Sequence, residues 1–195
     1  CQAEGLVDFS ELLLRSYEVL QRETALRMHY QNRFNNILID EFQDTSRLQY
    51  AWLKLLTGSD AVLFAVGDDD QSIYAFRGAH VGNMQMLMNE FDIEAPIKLE
   101  QNYRSAGNIL AAANAVIDKN PNRLGKNLWT DAGEGELLRY FNAASDLYEA
   151  QFVVDEVKAL HREGSALKNI AVLYRNNAQS RILEQVLFKT GLPYK

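Results

Sequence analysis

Short branched apolar runs alternate along this chain with segments whose apolar residues recur at helical spacing. Ile37, Leu38 and Ile39 follow one another with no polar residue between them, and Ala61-Val-Leu-Phe-Ala-Val66 repeats the pattern. That is the signature of strands covered on both faces of a parallel sheet. Between the two runs, Thr45 or Ser46 can cap a helix carrying Leu48, Trp52, Leu55 and Leu56 on one side and closing at Gly58. A strand, helix, strand succession predicts a right-handed crossover that returns the chain to the same edge of the sheet.

The flanks read in the same way. Phe9, Leu12, Leu13, Tyr17 and Leu20 predict one amphipathic helix from Val7 to about Arg27, with Asp8 or Ser10 as its cap. Val81, Met84, Leu87, Met88 and Phe91 form one face of a further helix, and Pro96-Ile-Lys-Leu-Glu100 reads as a short strand. Ser105 can cap a helix with Ile109, Leu110, Ala113, Val116 and Ile117 inward, broken by Asn120-Pro121. Leu137 to Phe141 and Ile170 to Tyr174 read as strands. The helices beside them run from an Asp146-Leu-Tyr-Glu149 capping box through Leu160, and from Ser180 to Lys189 ahead of Gly191 and Pro193.

Composition narrows the class. A chain of 195 residues with 47% apolar content can bury a sizeable core as one domain or two small ones, and no apolar run reaches the length of a membrane span. The opening Cys1-Gln-Ala-Glu-Gly lacks the basic flank and apolar heart of a signal peptide. Cys1 is the sole cysteine, which excludes an internal disulfide framework or cysteine-built zinc site and fits a reducing, cytoplasmic setting. A formal charge of −6 and pI near 5.1 argue against a general phosphate-gripping surface. Any DNA contact must be local, through aromatic stacking and a few placed cations.

The candidate chemistry lies where the first apolar run ends. Asp40 and Glu41 follow Ile39 directly, and ligands of parallel sheets bind beyond the carboxyl ends of the strands. An acid pair there can divide two jobs. Asp40 can hold Mg²⁺, while Glu41, reaching the ion through water, orients and deprotonates a water that attacks a phosphoryl group. The bland alternative is a strand giving way to a polar loop. A second acidic loop, Asp68-Asp-Asp-Gln71, follows the second run and shares that edge if the strands are parallel.

Three ordered stretches carry a resemblance: Asp40-Glu-Phe-Gln-Asp-Thr45, Val66-Gly-Asp-Asp-Asp-Gln-Ser-Ile-Tyr-Ala-Phe-Arg-Gly78 and Leu99-Glu-Gln-Asn-Tyr-Arg-Ser105. They resemble motifs II, III and IV of the superfamily 1 DNA helicases of the UvrD, Rep and PcrA type. Leu124-Gly-Lys-Asn-Leu-Trp-Thr-Asp131 and Tyr174-Arg-Asn-Asn-Ala-Gln-Ser-Arg181 draw the chain towards the UvrD branch. The resemblance implies an α/β fold made of partial RecA-like P-loop NTPase lobes. Residues 1–34 would close an inserted helical subdomain (1B-like), 35–100 form the back of lobe 1A, and 101–195 the front of lobe 2A.

It further implies ATP and Mg²⁺ as cofactors, single-stranded and duplex DNA as partners, repair proteins as further possible partners, and 3′-to-5′ unwinding. Gln71 would report the γ-phosphate, Arg77 approach it, Tyr103 stack on adenine and Arg104 act as an arginine finger. Phe9, Tyr74 and Phe76 would meet DNA bases, the last in place of the family's usual Trp. Taken singly these residues have plainer alternatives: core packing for Phe9, packing on the next helix for Tyr74 and Phe76, a loop polar group for Gln71 and an exposed salt bridge for Arg77. A Gly-x-x-x-x-Gly-Lys-[Ser/Thr] loop is absent, since Gly125-Lys126 has Asn120 and Asn127 at the flanking positions. The isolated chain is therefore expected to be inactive as an ATPase. A helicase-nuclease subunit of the AddA or RecB kind shares these motifs, and a non-catalytic RecA-like interaction domain is the reading from another class.

Overall fold

The computed structural model describes residues 5–121 and 123–195, so Cys1 lies outside the described residues. Two compact units divide the chain, residues 1–136 and 137–195. In the first, α1 (Phe9–Arg22) and α2 (Thr24–Arg33) precede β1 (Asn36–Ile39), α3 (Arg47–Leu56), β2 (Val62–Ala65), α4 (Gly82–Glu90) and α5 (Gly107–Ile117). The second holds α6 (Asp146–Arg162) and α7 (Asn177–Lys189).

The β1-α3-β2 unit forms as its pattern predicts. β1 and β2 pair in parallel, Asn36 opposite Val62 through Ile39 opposite Ala65. Ser46 caps α3 by accepting from the Gln49 amide while the Gln49 side chain accepts from the Ser46 amide, so two end-of-helix donors are satisfied reciprocally. Alternation along both strands turns Ile39, Leu63 and Ala65 inward against Phe42, Tyr50 of α3 and Leu87 of α4. Phe42 and Tyr50 meet edge to face with centroids 5.7 Å apart. The Tyr50 hydroxyl donates to the Glu90 carboxylate at 2.5 Å and Lys54 donates to its other oxygen, fastening α3 to α4. In the second unit Ala150 and Val154 of α6 pack on Val186 of α7, with Ile182 and Leu187 alongside.

Several expectations need correction. The strands are covered on one face only: Leu38 is 77% and Phe64 57% exposed, because nothing among the described residues lies on that side. No ladder includes Pro96 to Glu100, Leu137 to Phe141 or Ile170 to Tyr174. Apolar alternation gives a segment a strand's face but not a neighbour to bond with, and Ile97, Leu137 and Leu173 stand exposed accordingly. The single N-terminal helix is two, broken at Glu23, whose ψ of 87° leaves the helical region. In α5, Ala106 rather than Ser105 is the N-cap, and Ile109 and Val116 face outward. The cap of α6 is Ser145, one residue before the expected box, and α7 begins a turn early on an Asn176 and Gln179 capping box.

Phe42 carries the first unit's core at 1% exposure, whereas Phe76 is 73% exposed. Phe42→Ala is expected to lower the urea-unfolding free energy of that unit by about 3–5 kcal/mol. Phe76→Ala should change it by no more than about 0.5 kcal/mol.

Candidate functional site

Strand β1 ends at Ile39 and delivers Asp40 and Glu41, both exposed, to the carboxyl edge of the parallel pair. The turn that follows is unusual. Glu41 adopts φ 50° and ψ 44°, a left-handed conformation that costs a non-glycine residue roughly 1–3 kcal/mol and persists only where its surroundings over-determine it. Asp40 meets part of that cost by accepting the Glu41 amide at 2.9 Å. The chain then tightens into a 3-10 turn, Phe42 to Asp44, which buries Phe42 and Gln43.

Gln43 was not singled out by the sequence, and it holds the site together. Its side chain is 1% exposed. Its Nε2 donates to Glu41 Oε2 at 2.7 Å, and its Oε1 accepts the Asp68 amide at 2.8 Å. One buried amide thus joins the carboxylate tip of β1 to the loop after β2. The backbone does the same nearby, with the Phe42 amide donating to the Val66 carbonyl at 2.9 Å and the Val66 amide to Ile39 at 2.8 Å. Gly67 makes room: a Cβ there would stand 2.8 Å from Gln43 Oε1 and 3.3 Å from the Gln43 nitrogen.

The second loop is knitted onto this frame. Asp68 caps a 3-10 turn over Asp69 to Gln71 by accepting the Asp70 amide, and its Oδ2 accepts from the Gln71 side chain at 2.5 Å. Asp68 Oδ1 also pairs with Lys126. Burial opposes ionisation of Asp68, but the Lys126 ammonium, the Gln71 amide and the Asp70 amide outweigh it and hold the carboxyl below its ordinary range. Oxygens of Asp68, Asp69 and Asp70 lie within 4.8 Å of one another, the spacing of a cation site. They are already engaged: Arg123 forks onto Asp70 at 2.9 and 2.7 Å, and the Leu124 amide donates to Asp69. Gly125-Lys126, which fails as a phosphate loop, thus has a different partner.

Among the sequence-predicted residues, Asp40, Glu41 and Gln71 are brought onto one hydrogen-bonded frame. Tyr74 and Phe76 flank a 3-10 turn with ring centroids 6.0 Å apart and tilted at 48°. The Arg77 guanidinium lies over both rings, 4.8 and 5.4 Å from their centroids, and among the described residues no salt bridge holds it. Phe9 is 92% exposed at the first position of α1, so it is no core residue. Tyr103 is also exposed and donates to Gln101 Oε1 at 2.8 Å. Arg104 stands in a turn built on Asn102 Oδ1, which accepts the Arg104 and Ser105 amides. Among the described residues no hydrogen bond or ion pair joins Tyr103 or Arg104 to Asp40, Glu41 or Gln71.

Comparison with known proteins settles the relationship. Residues 1–92 match the UvrD/REP helicase N-terminal domain, and residues 97–195 match the UvrD-like helicase C-terminal domain. The chain belongs to the UvrD-like helicases. The domains of this family are RecA-like P-loop folds, in keeping with the parallel β1-α3-β2 unit. DNA helicase II of Escherichia coli K12 is 52% identical over the whole chain, which covers 27% of that protein. ATP-dependent DNA helicase UvrD1 of Mycobacterium tuberculosis H37Rv is 44% identical, again over the whole chain and 26% of its own length. ATP-dependent DNA helicase PcrA of Staphylococcus aureus NCTC 8325 is 42% identical over 96% of the chain and 26% of its own. The chain therefore spans about a quarter of the length of these UvrD-like relatives. No helix among the described residues is long and apolar enough to cross a membrane.

Because Asp68 titrates below its unfolded value near 3.9, the stability it contributes is present above about pH 4 and is lost as pH falls through the folded value. Urea unfolding at pH 6 and pH 3 should show a smaller acid loss for Asp68→Asn than for the parent sequence. An identical acid loss would contradict the assignment.

Proposed function

We propose that this chain is an interior segment of an ATP-dependent DNA helicase that moves 3′ to 5′ along single-stranded DNA and unwinds duplex in cytoplasmic repair or replication. On this reading residues 1–34 end a 1B-like subdomain, 35–100 belong to lobe 1A and 101–195 to lobe 2A. The observation that carries it is the frame at the sheet edge, where Gln43 connects Glu41 to Asp68 and Asp68 holds Gln71. A carboxylate pair and a neutral amide fixed relative to one another suit a site that must sense and cleave a phosphoanhydride.

The exposed pair at the end of β1 fits Mg²⁺, which takes one or two carboxylates and keeps several waters. Asp40 would hold the ion, whose chemistry is to neutralise charge on the β- and γ-phosphates. Glu41, its carboxylate steadied by Gln43, orients the attacking water and accepts its proton at Oε1 or Oε2. Gln71, released from Asp68, reports the γ-phosphate. Arg104 and Arg77 supply positive charge to it, and Tyr103 offers an uncommitted ring face to adenine. Phe9, Tyr74 and Phe76 provide stacking surfaces for single-stranded DNA, each worth roughly 1–3 kcal/mol per base. Within residues 1–195 no loop cradles the β- and γ-phosphates, so hydrolysis requires a phosphate loop from elsewhere in the protein.

Phosphate release from the full-length protein with single-stranded DNA tests this. Glu41→Gln is expected to lower turnover by about 10²–10⁴-fold while ATP binding persists. The 195-residue chain alone should release no phosphate above background. Undiminished turnover in the Glu41 variant, or Glu41-dependent turnover by the isolated chain, would contradict the reading.

A further inference from the structure

Residues 97–136 match the C-terminal family domain yet lie in the same compact unit as the N-terminal match. Polar contacts between the two are concentrated at one place. Among the described residues, each hydrogen bond and ion pair joining residues 97–136 to residues 5–92 is made by Asp68, Asp69 or Asp70 with Arg123, Leu124 or Lys126. The Arg123 and Asp70 side chains are only 12% and 10% exposed, and those of Lys126 and Asp68 19% and 20%, so water screens these pairs weakly. The 123–126 segment is itself braced, with Arg123 donating to the Lys126 carbonyl and Lys98 to the carbonyls of Leu124 and Gly125.

One carboxylate links this clamp to the site. Asp68 pairs with Lys126 through Oδ1 and accepts the Gln71 amide through Oδ2. We infer that Arg123 and Lys126 are positioning residues for Gln71. By holding the three aspartates they fix the loop, and with it the turn from which Gln71 projects. With Lys126 seated on Asp68 Oδ1, Asp68 keeps the Asp70 amide and the Gln71 side chain in place; when the C-terminal domain withdraws Lys126, that turn loses its anchor and Gln71 its fixed position. The position of the second domain is thereby transmitted to the residue that reads the nucleotide. This inference rests on the helicase reading for its catalytic consequence but not for the clamp itself.

Two measurements keep those apart. In the 195-residue chain, Lys126→Met should speed amide hydrogen exchange at Asp70, Gln71 and Leu124 while leaving Leu63 to Ala65 of β2 unchanged. Unchanged exchange at the first three would overturn the clamp. In the full-length protein the same variant should lower DNA-stimulated turnover about tenfold at an unchanged KM for ATP, a size typical of coupling between two sites. Lys126→Arg should restore most of it. Faster exchange with unaltered turnover, or no rescue by arginine, would overturn the positioning role. A wild-type protein without DNA-stimulated turnover would instead overturn the helicase reading, and the exchange result alone would then decide the clamp.

Discussion

The side-chain amide of Gln43 is the contact on which the site depends. Parallel strands end at a common edge, but their loops are free to diverge unless something buried ties them, and here one glutamine side chain does so in both directions beside the backbone bonds of Phe42 and Val66. A buried amide with its donor and acceptor both satisfied stabilises only modestly, whereas removal of either partner leaves a polar group stranded at about 1–3 kcal/mol. That asymmetry makes the tie specific. Phe42 beneath it and the bare Cα of Gly67 beside it leave the amide little choice of position.

The strain at Glu41 follows from the same constraint. For Phe42 to reach the core and Gln43 to reach the next loop within one tight turn, the chain must reverse its course at Glu41, and the left-handed conformation is the way it does so. The result leaves the two acidic side chains outside while the two residues after them are buried. The placement of the two carboxylates and the core packing are thus consequences of one turn, and a change in either would be felt in both.

Much of this was legible beforehand. Ile37 to Ile39 and Ala61 to Val66 announced parallel strands, Thr45 or Ser46 announced the start of α3, which the structure places at Ser46, and the acidic residues fell at the edge those elements define. What escaped was of three kinds. The unbroken apolar run of β1 indicated two covered faces, but hydrophobicity says that a face is suited to burial and not that a partner is present, and Leu38 is exposed. Leu137 to Phe141 and Ile170 to Tyr174 have strand composition without a ladder for the same reason. Gln43 was invisible because glutamine is ordinarily a surface residue and nothing in its neighbours marks it as buried. In the sequence Lys126 stands out as part of a failed phosphate loop and of a stretch resembling the UvrD branch, neither of which points to Asp68. The signal that could have placed it was electrostatic, since three consecutive aspartates near a sheet edge require cations and Arg123 and Lys126 supply them.

The account turns on whether Gln43 is held as described, and its side-chain NH₂ reports that directly. In a ¹⁵N-labelled sample, proton exchange of the Gln43 side-chain amide should be slower than that of the exposed Gln49 by about tenfold or more, as expected for a group that must break a buried hydrogen bond to reach water. Exchange of Gln43 at the rate of Gln49 would mean that the amide is free and that Glu41 and Asp68 are not joined through it, which contradicts the account.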